Sequence, residues 1–190
     1  AWVAGASRRV LGVLGGGFLG LLPVAWHLLK TYQRERLLIF LNPHADPLGA
    51  GYTIIQSTIA IGSGRLAGRG WLSGTQNQLN FLPERHSDFI FSVIGEEWGF
   101  LGCLSVILLF GLLLARATSL ALRTTDPQGR LLAIGIACWI GYQAFVNIGM
   151  VMGILPVVGI PLPFISYGGS SMVTVWFALG LLQSIHRSTA

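Results

Sequence analysis

The sequence predicts an all-α fold: a polytopic helical membrane protein with about four transmembrane helices and a large extracytoplasmic loop. Three observations predict it. Apolar residues fill 53% of the 190 positions and charged residues only 10%, against about a quarter charged in soluble domains. Residues 131–185 contain no Asp, Glu, Lys or Arg, roughly 55 positions where one crossing needs about 20. Twenty-six glycines and a mean hydropathy of +0.67 suit helices in close contact within lipid. The chain opens mid-pattern at AWVAGASRR, with no initiator Met and no cleavable signal layout, which predicts the C-terminal part of a longer polytopic domain.

The first expected span is 10–29, about 20 residues without a charge. Gly16 and Gly20 form a small-xxx-small pair for helix contact, and Pro23 kinks its end. Trp26, His27 and Tyr32 follow at interface depth. Residues 30–91 form the outer loop. Tyr32 to Arg36 is wet, and Asn42-Pro43 and Asp46-Pro47 are turn signals. Tyr52 to Ile61 is too short to span and reads as an interfacial or re-entrant helix, with Tyr52, Ile55 and Ile59 on one face. Glycines 62, 64, 68, 70 and 74 then interrupt regular structure.

The second span is expected over about 92–115, its helix beginning near Ser87 and ending at Arg116. Residues 116–130 form a hydrophilic connection that turns at Asp126-Pro127. The uncharged tract must fold back on itself. Gly153 to Pro156, Pro161 to Pro163 and Ser166 to Gly169 mark the reversal, leaving a third span at 131–152 and a fourth at 171–185. The fourth is short, so its helix is expected to begin inside the SYGGSS turn. Cys103 and Cys138 fall within spans and read as small apolar residues.

Charge gives the orientation. Arg8, Arg9, Arg116, Arg123, Arg130 and Arg187 flank the short connections with one acid, Asp126, and so carry the whole net charge of +5. The six basic and six acidic residues between positions 30 and 97 cancel. Basic residues in short loops mark the cytoplasmic side, which puts the 30–91 loop and the PVVGIPLPFISYGG turn together on the outer face. No basic cluster is interleaved with aromatics, so nucleic acid is excluded as a partner.

Seven of the nineteen charged residues lie in 62–99: Arg65, Arg69, Glu84, Arg85, Asp88, Glu96 and Glu97. Asp88 has two local readings. With Ser87 as N-cap it is a first-turn acid; with Pro83 at N1 it shares a face with Glu84. Either role is structural, and either leaves a carboxylate able to act as a base. On a continuous helix Glu96 lies about 12 Å from Asp88, beyond the roughly 5–9.5 Å of glycosidase carboxylate pairs. Glu96 and Glu97 then serve at the membrane interface, pair with an Arg, or line the site. Arg65, Arg69 and Arg85 suit phosphate, bound bidentately, or lipid headgroups. Gln143 and Asn147, one turn apart in an apolar span, are explained by interhelical hydrogen bonding. His86 has no companion at metal-ligand spacing, so no metal site is expected. These residues together describe an outward-facing polar site for an anionic lipid-linked substrate.

NQLNFLPERHSDFIFSVIGEEWG and GILPVVGIPLPFISYGGSS resemble the two signature regions of the SEDS family (shape, elongation, division and sporulation proteins). GTQNQLNFLPERH is closer to the family's rod-shape branch than to its division branch. YQRERLLIFLNPHADPLGAGY and GAGYTIIQSTIAIGSGRLAGRGW are similar to that branch as well, so the resemblance runs from about Tyr32 to Arg187. It implies a ten-helix inner-membrane glycosyltransferase that polymerises lipid II with a class B penicillin-binding protein as partner. The family's catalytic aspartate matches Asp88. The implied substrate-binding residues are Arg65, Arg69, Glu84, Arg85, His86, Glu97, Ser166, Gly168 and Gly169. Ser87 stands where Thr is usual, and Arg69 where Lys is common. No cofactor is implied beyond a candidate divalent cation. A flippase of lipid-linked precursors and a non-catalytic scaffold of the elongation complex are the alternatives.

Overall fold

The structure, a computed structural model, describes residues 27–43, 46–47, 49, 51–74 and 86–189, together with Arg9, Gly12, Val13, Gly16, Gly17, Gly20 and Leu21. Most of the first expected span, and the candidates Glu84 and Arg85, lie outside the described residues. Five helices are resolved among the rest: α1 Thr31–Leu41, α2 Tyr52–Ser63, α3 Ile90–Arg123, α4 Pro127–Val151 and α5 Gly169–Thr189. No strand occurs among the described residues.

α1 falls in the stretch read from sequence as wet loop. It starts because the Gln33 side chain accepts from the Lys30 N–H (3.0 Å), half of a capping box. Arg36 reaches across to the Val157 carbonyl (3.3 Å), tying α1 to the segment after α4. α2 is helical as expected, and its buried face is Ile54, Ser57 and Ala60, with Tyr52, Ile55 and Ile59 on a more open side. Small side chains decide this. Ser57 and Ala60 let α2 approach closely, and the Ser57 hydroxyl bonds the Val151 carbonyl at the end of α4 (2.9 Å). Ile59 faces outward.

α3 is longer than the sequence suggested, continuing past Arg116 to Arg123. It is two helices joined at Gly99, whose φ of 65° and ψ of −156° are non-helical. Residues 100–123 rise about 36 Å, enough alone for a ~30 Å hydrocarbon core. The link to α4 is therefore only Thr124 to Asp126. Asp126 caps α4 by accepting from the Gln128 (3.3 Å) and Gly129 (2.7 Å) N–H groups, with Pro127 at N1. So short a connection forces α3 and α4 antiparallel. Ala117 and Ala121 of α3, with Ala133 and Ala137 of α4, are all buried near this turn. Small-residue packing of that kind is expected between helices in lipid. Asp126→Ala should cost about 1 kcal/mol, the usual worth of an N-cap, read as a lower unfolding midpoint in detergent with helix content unchanged.

α4 ends in a Schellman motif. Gly153, at φ 72°, donates to the Met150 carbonyl (3.1 Å), and Ile154 donates to that of Gly149 (2.8 Å). The prolines that follow keep 154–168 irregular. α5 then begins at Gly169, inside the SYGGSS turn, and buries Val175, Ala178, Leu182 and Ile185 along one stripe.

α3 and α4 are long and apolar enough to cross a membrane, yet only 22% and 39% of their most apolar windows are buried. A soluble core helix would be mostly covered. Leu108, Leu109, Tyr142, Phe145, Trp176 and Phe177 all point outward from α3, α4 and α5. Cys103 is buried, whereas Cys138 lies on the surface of its helix.

Candidate active site

Asp88 sits in a turn, residues 86–89, just before α3. The helix N-cap is Phe89, so the Ser87 cap does not form and Asp88 precedes the first turn of α3; the arrangement with Pro83 at N1 lies outside the described residues. Its backbone is held from elsewhere. Three successive carbonyls each accept a hydrogen bond from the far half of the chain. His86 O accepts from the Tyr167 N–H (2.8 Å), Ser87 O from the Ser166 hydroxyl (2.5 Å), and Asp88 O from the Asn147 side-chain amide (2.9 Å). The two polar segments expected to meet on one face do meet, through backbone carbonyls.

The clamp is braced in turn. Ser166 Oγ also accepts from the Leu162 N–H (2.7 Å), and the Asn147 amide donates to Ile160 O as well (2.7 Å). The Asp88 carboxylate lies against Gly159, where an added Cβ would stand 3.2 Å from Oδ2. Asp88 is half-buried, within reach of solvent but fixed on its backbone side. Ser166 is buried with its hydroxyl engaged twice. His86, Tyr167 and Gly169 form the exposed rim, with Gly168 half-covered between them. Gly168 and Gly169 open α5, whose first N–H groups lack intrahelical acceptors.

A second construction surrounds the break in α3. Interrupting a helix frees backbone groups that the i→i−4 ladder would have paired. The loop after α2 takes four of them. Arg65 and Leu66 carbonyls accept from Phe100 (2.8 Å) and Leu101 (3.2 Å), while Arg69 and Gly70 donate to Glu96 O (3.0 Å) and Glu97 O (3.1 Å). Arg65 adopts φ 51° to make this turn, and both Arg65 and Arg69 are exposed. Trp71 packs edge-on against Trp98, ring centroids 5.9 Å apart.

Glu96 and Glu97 are 0% and 7% exposed beneath that loop. The Glu96 carboxylate lies against Gly74, where a Cβ would stand 2.7 Å from Oε2. From Ile90 to Glu96 the helix rises about 9 Å. No group of three or more His, Cys, Asp or Glu able to hold a metal occurs among the described residues. A cavity of about 850 Å³, lined by Arg116, Arg123 and His186 among others, opens between α3 and α5. It is about 39 Å of helical rise from the start of α3 and does not belong to the Asp88 site.

Of the sequence candidates, Asp88, His86, Ser166, Gly168 and Gly169 are gathered in one place; Arg65, Arg69 and Glu97 belong to the loop-and-break construction. Asn147 and Gly159 were missed as members. The one signal for Asn147 was an amide in an apolar span.

The cell cycle protein family FTSW_RODA_SPOVE matches residues 1–190. The chain is 50% identical over 186 residues to the peptidoglycan glycosyltransferase MrdB of Escherichia coli (strain K12), covering 97% of this chain and 50% of that one. It is 46% identical over 185 residues to the peptidoglycan glycosyltransferase RodA of Treponema pallidum (strain Nichols), covering 97% and 42%. Among solved structures it resembles a chain from a peptidoglycan synthase complex described for coordinating polymerization and crosslinking. That match has a TM-score of 0.77 at 39% identity, over 96% of this chain and 49% of that one. It also resembles the rod shape determining protein RodA of Thermus thermophilus, with a TM-score of 0.52 at 31% identity over 84% and 58%. The chain spans about half the length of the curated relatives it matches. It belongs to the FTSW_RODA_SPOVE family of cell cycle proteins, the family that its two signature regions resemble.

Proposed function

We propose that this chain carries the catalytic half of a peptidoglycan glycosyltransferase. The protein polymerises lipid II into glycan strands during cell elongation and shape maintenance. The observation that carries the reading is the half-buried Asp88, its backbone held at the meeting point of the two signature regions. Membership of a family whose relatives are named peptidoglycan glycosyltransferases supports it.

In this reaction Asp88 accepts the proton of the acceptor sugar 4-hydroxyl as that oxygen attacks the anomeric carbon of the donor. The anomeric C–O bond breaks and undecaprenyl pyrophosphate leaves. Arg65 and Arg69, exposed on the docked loop, and Arg85 balance the charge developing on the pyrophosphate. Because that leaving group is already good, a second carboxylate is unnecessary. A divalent cation beside the pyrophosphate is compatible with this chemistry. The partner is a class B penicillin-binding protein, which crosslinks the strands produced.

The site faces outward from the bacterial inner membrane, with four crossings and both ends of the chain cytoplasmic. Support comes from the charge split and from the Asp126 turn lying at the opposite end of α3 from Asp88. In intact cells, with Cys103 and Cys138 replaced by Ser, a cysteine at exposed Ser73 should react with an impermeant maleimide and one at exposed Gln128 should not. The reverse pattern would invert the topology. Polymerisation of lipid II by the purified full-length protein, with and without Asp88→Asn, tests the activity. A flippase would use the same arginines to hold pyrophosphate but would tolerate Asn at 88.

A further inference from the structure

We propose that Asn147, on α4, is the positioning residue for Asp88, acting through the backbone on both sides of the carboxylate. The inference rests on the glycosyl-transfer reading and assigns a role within it that neither signature region contains.

Asn147 is fully buried. Its amide nitrogen donates to two main-chain carbonyls, Asp88 O at 2.9 Å and Ile160 O at 2.7 Å. Since both partners can only accept, the orientation of the side chain is chemically fixed, with Nδ2 toward them. Oδ1 is buried and has no hydrogen-bond partner among the described residues. An amide buried with its acceptor unmatched is a poor choice for packing or for helix association alone. A leucine would fill similar space but would strip both carbonyls of their donor. What Asn147 contributes, and leucine cannot, is a double hold on backbone.

The two carbonyls are not arbitrary. One belongs to Asp88 itself, and fixing it fixes the plane of the peptide that follows and hence ψ of residue 88. The other belongs to Ile160, next to Gly159, the backbone wall on which the Asp88 carboxylate rests. A single side chain on a membrane-length helix therefore sets both the direction in which the carboxylate leaves the chain and the surface that limits its swing. Tyr167 and Ser166 hold the two preceding carbonyls, so loss of Asn147 should leave the turn assembled but release its last and most consequential link.

The experiment uses the full-length protein with purified lipid II. Asn147→Leu should lower kcat by about 10–100-fold, the range expected when a reacting group is displaced by up to an ångström, with KM within about twofold of wild type. Placed in the Asp88→Asn background, the same substitution should lower the residual rate no further, because the group it positions is already disabled. If Asn147→Leu is not recovered folded, Asn147→Asp replaces it under the same criteria. That variant keeps the volume while turning an oxygen toward two carbonyls. Unchanged kcat alongside an inactive Asp88→Asn protein overturns the role of Asn147 and leaves the proposed reaction standing. An equal further loss in the Asp88→Asn background overturns it too, by showing that Asn147 acts independently of Asp88. Full activity of Asp88→Asn overturns the reaction and this role together.

Discussion

Asp88→Asn in the full-length protein is expected to reduce lipid II polymerisation by roughly 10²–10⁴-fold, the usual contribution of a general base. Insertion, thermal stability and partner binding should stay near wild type. The geometry makes this separation sharp. Three of the bonds that hold the turn are to its main-chain carbonyls, Asp88 O taken by Asn147 and those of His86 and Ser87 by Tyr167 and Ser166. None of these three involves the carboxylate, so Asn inherits all three. Asn also has the same shape, so the contact with Gly159 is kept. It differs in being unable to accept the hydroxyl proton. The loss should therefore appear in kcat, with KM for lipid II little changed, because the pyrophosphate arginines are untouched. Undiminished polymerisation would sink the catalytic assignment, and a parallel loss of folding would make Asp88 a structural acid.

The candidates for the site were more legible in the sequence than its construction. From the residues alone Asp88 reads equally well as a first-turn acid, and its catalytic role is what the resemblance of the HSDF stretch to the SEDS family implies. The meeting of its loop with the SYGGSS turn followed from the distribution of arginines. The way they meet did not, since main-chain carbonyls leave no mark on sequence. Asn147 illustrates the difficulty: an amide in an apolar span looks the same whether it bridges two helices or grips a catalytic turn. α1 was missed because Thr31 to Leu41 mixes charge and leucine with almost no amphipathic pattern, and its capping depends on Gln33 reaching back to Lys30. The packing face of α2 is not legible as an apolar stripe, because the small residues Ser57 and Ala60 make its close contact.

The break in α3 was equally hidden, and it carries the second large expected effect. Gly99→Ala should destabilise the protein by roughly 3–6 kcal/mol, combining backbone strain with loss of several docking hydrogen bonds. At φ 65° and ψ −156° residue 99 occupies a region essentially restricted to glycine. An added Cβ would also stand 2.3 Å from Gly68 N and 2.8 Å from the carbonyl oxygens of Gly64 and Leu66, all backbone atoms with no rotamer to change. Two responses are open. Either α3 straightens and recovers its own ladder, or the loop lifts away; both undo the four bonds that seat Arg65 to Gly70 on Glu96 to Leu101. Glu96 and Glu97 would then lose their cover, and the exposed arginines proposed to meet pyrophosphate would lose their placement. Trypsin should cut at Arg65 and Arg69 much faster in Gly99→Ala than in wild type, and polymerisation should fall even though Asp88 is intact. Gly111→Ala is the control, since Gly111 is exposed with nothing within 4 Å of an added Cβ. It should be neutral or slightly stabilising, as expected for Gly→Ala inside a helix. If the two variants melt within about 1 kcal/mol of each other, the break at Gly99 is not what holds the arginine loop in place.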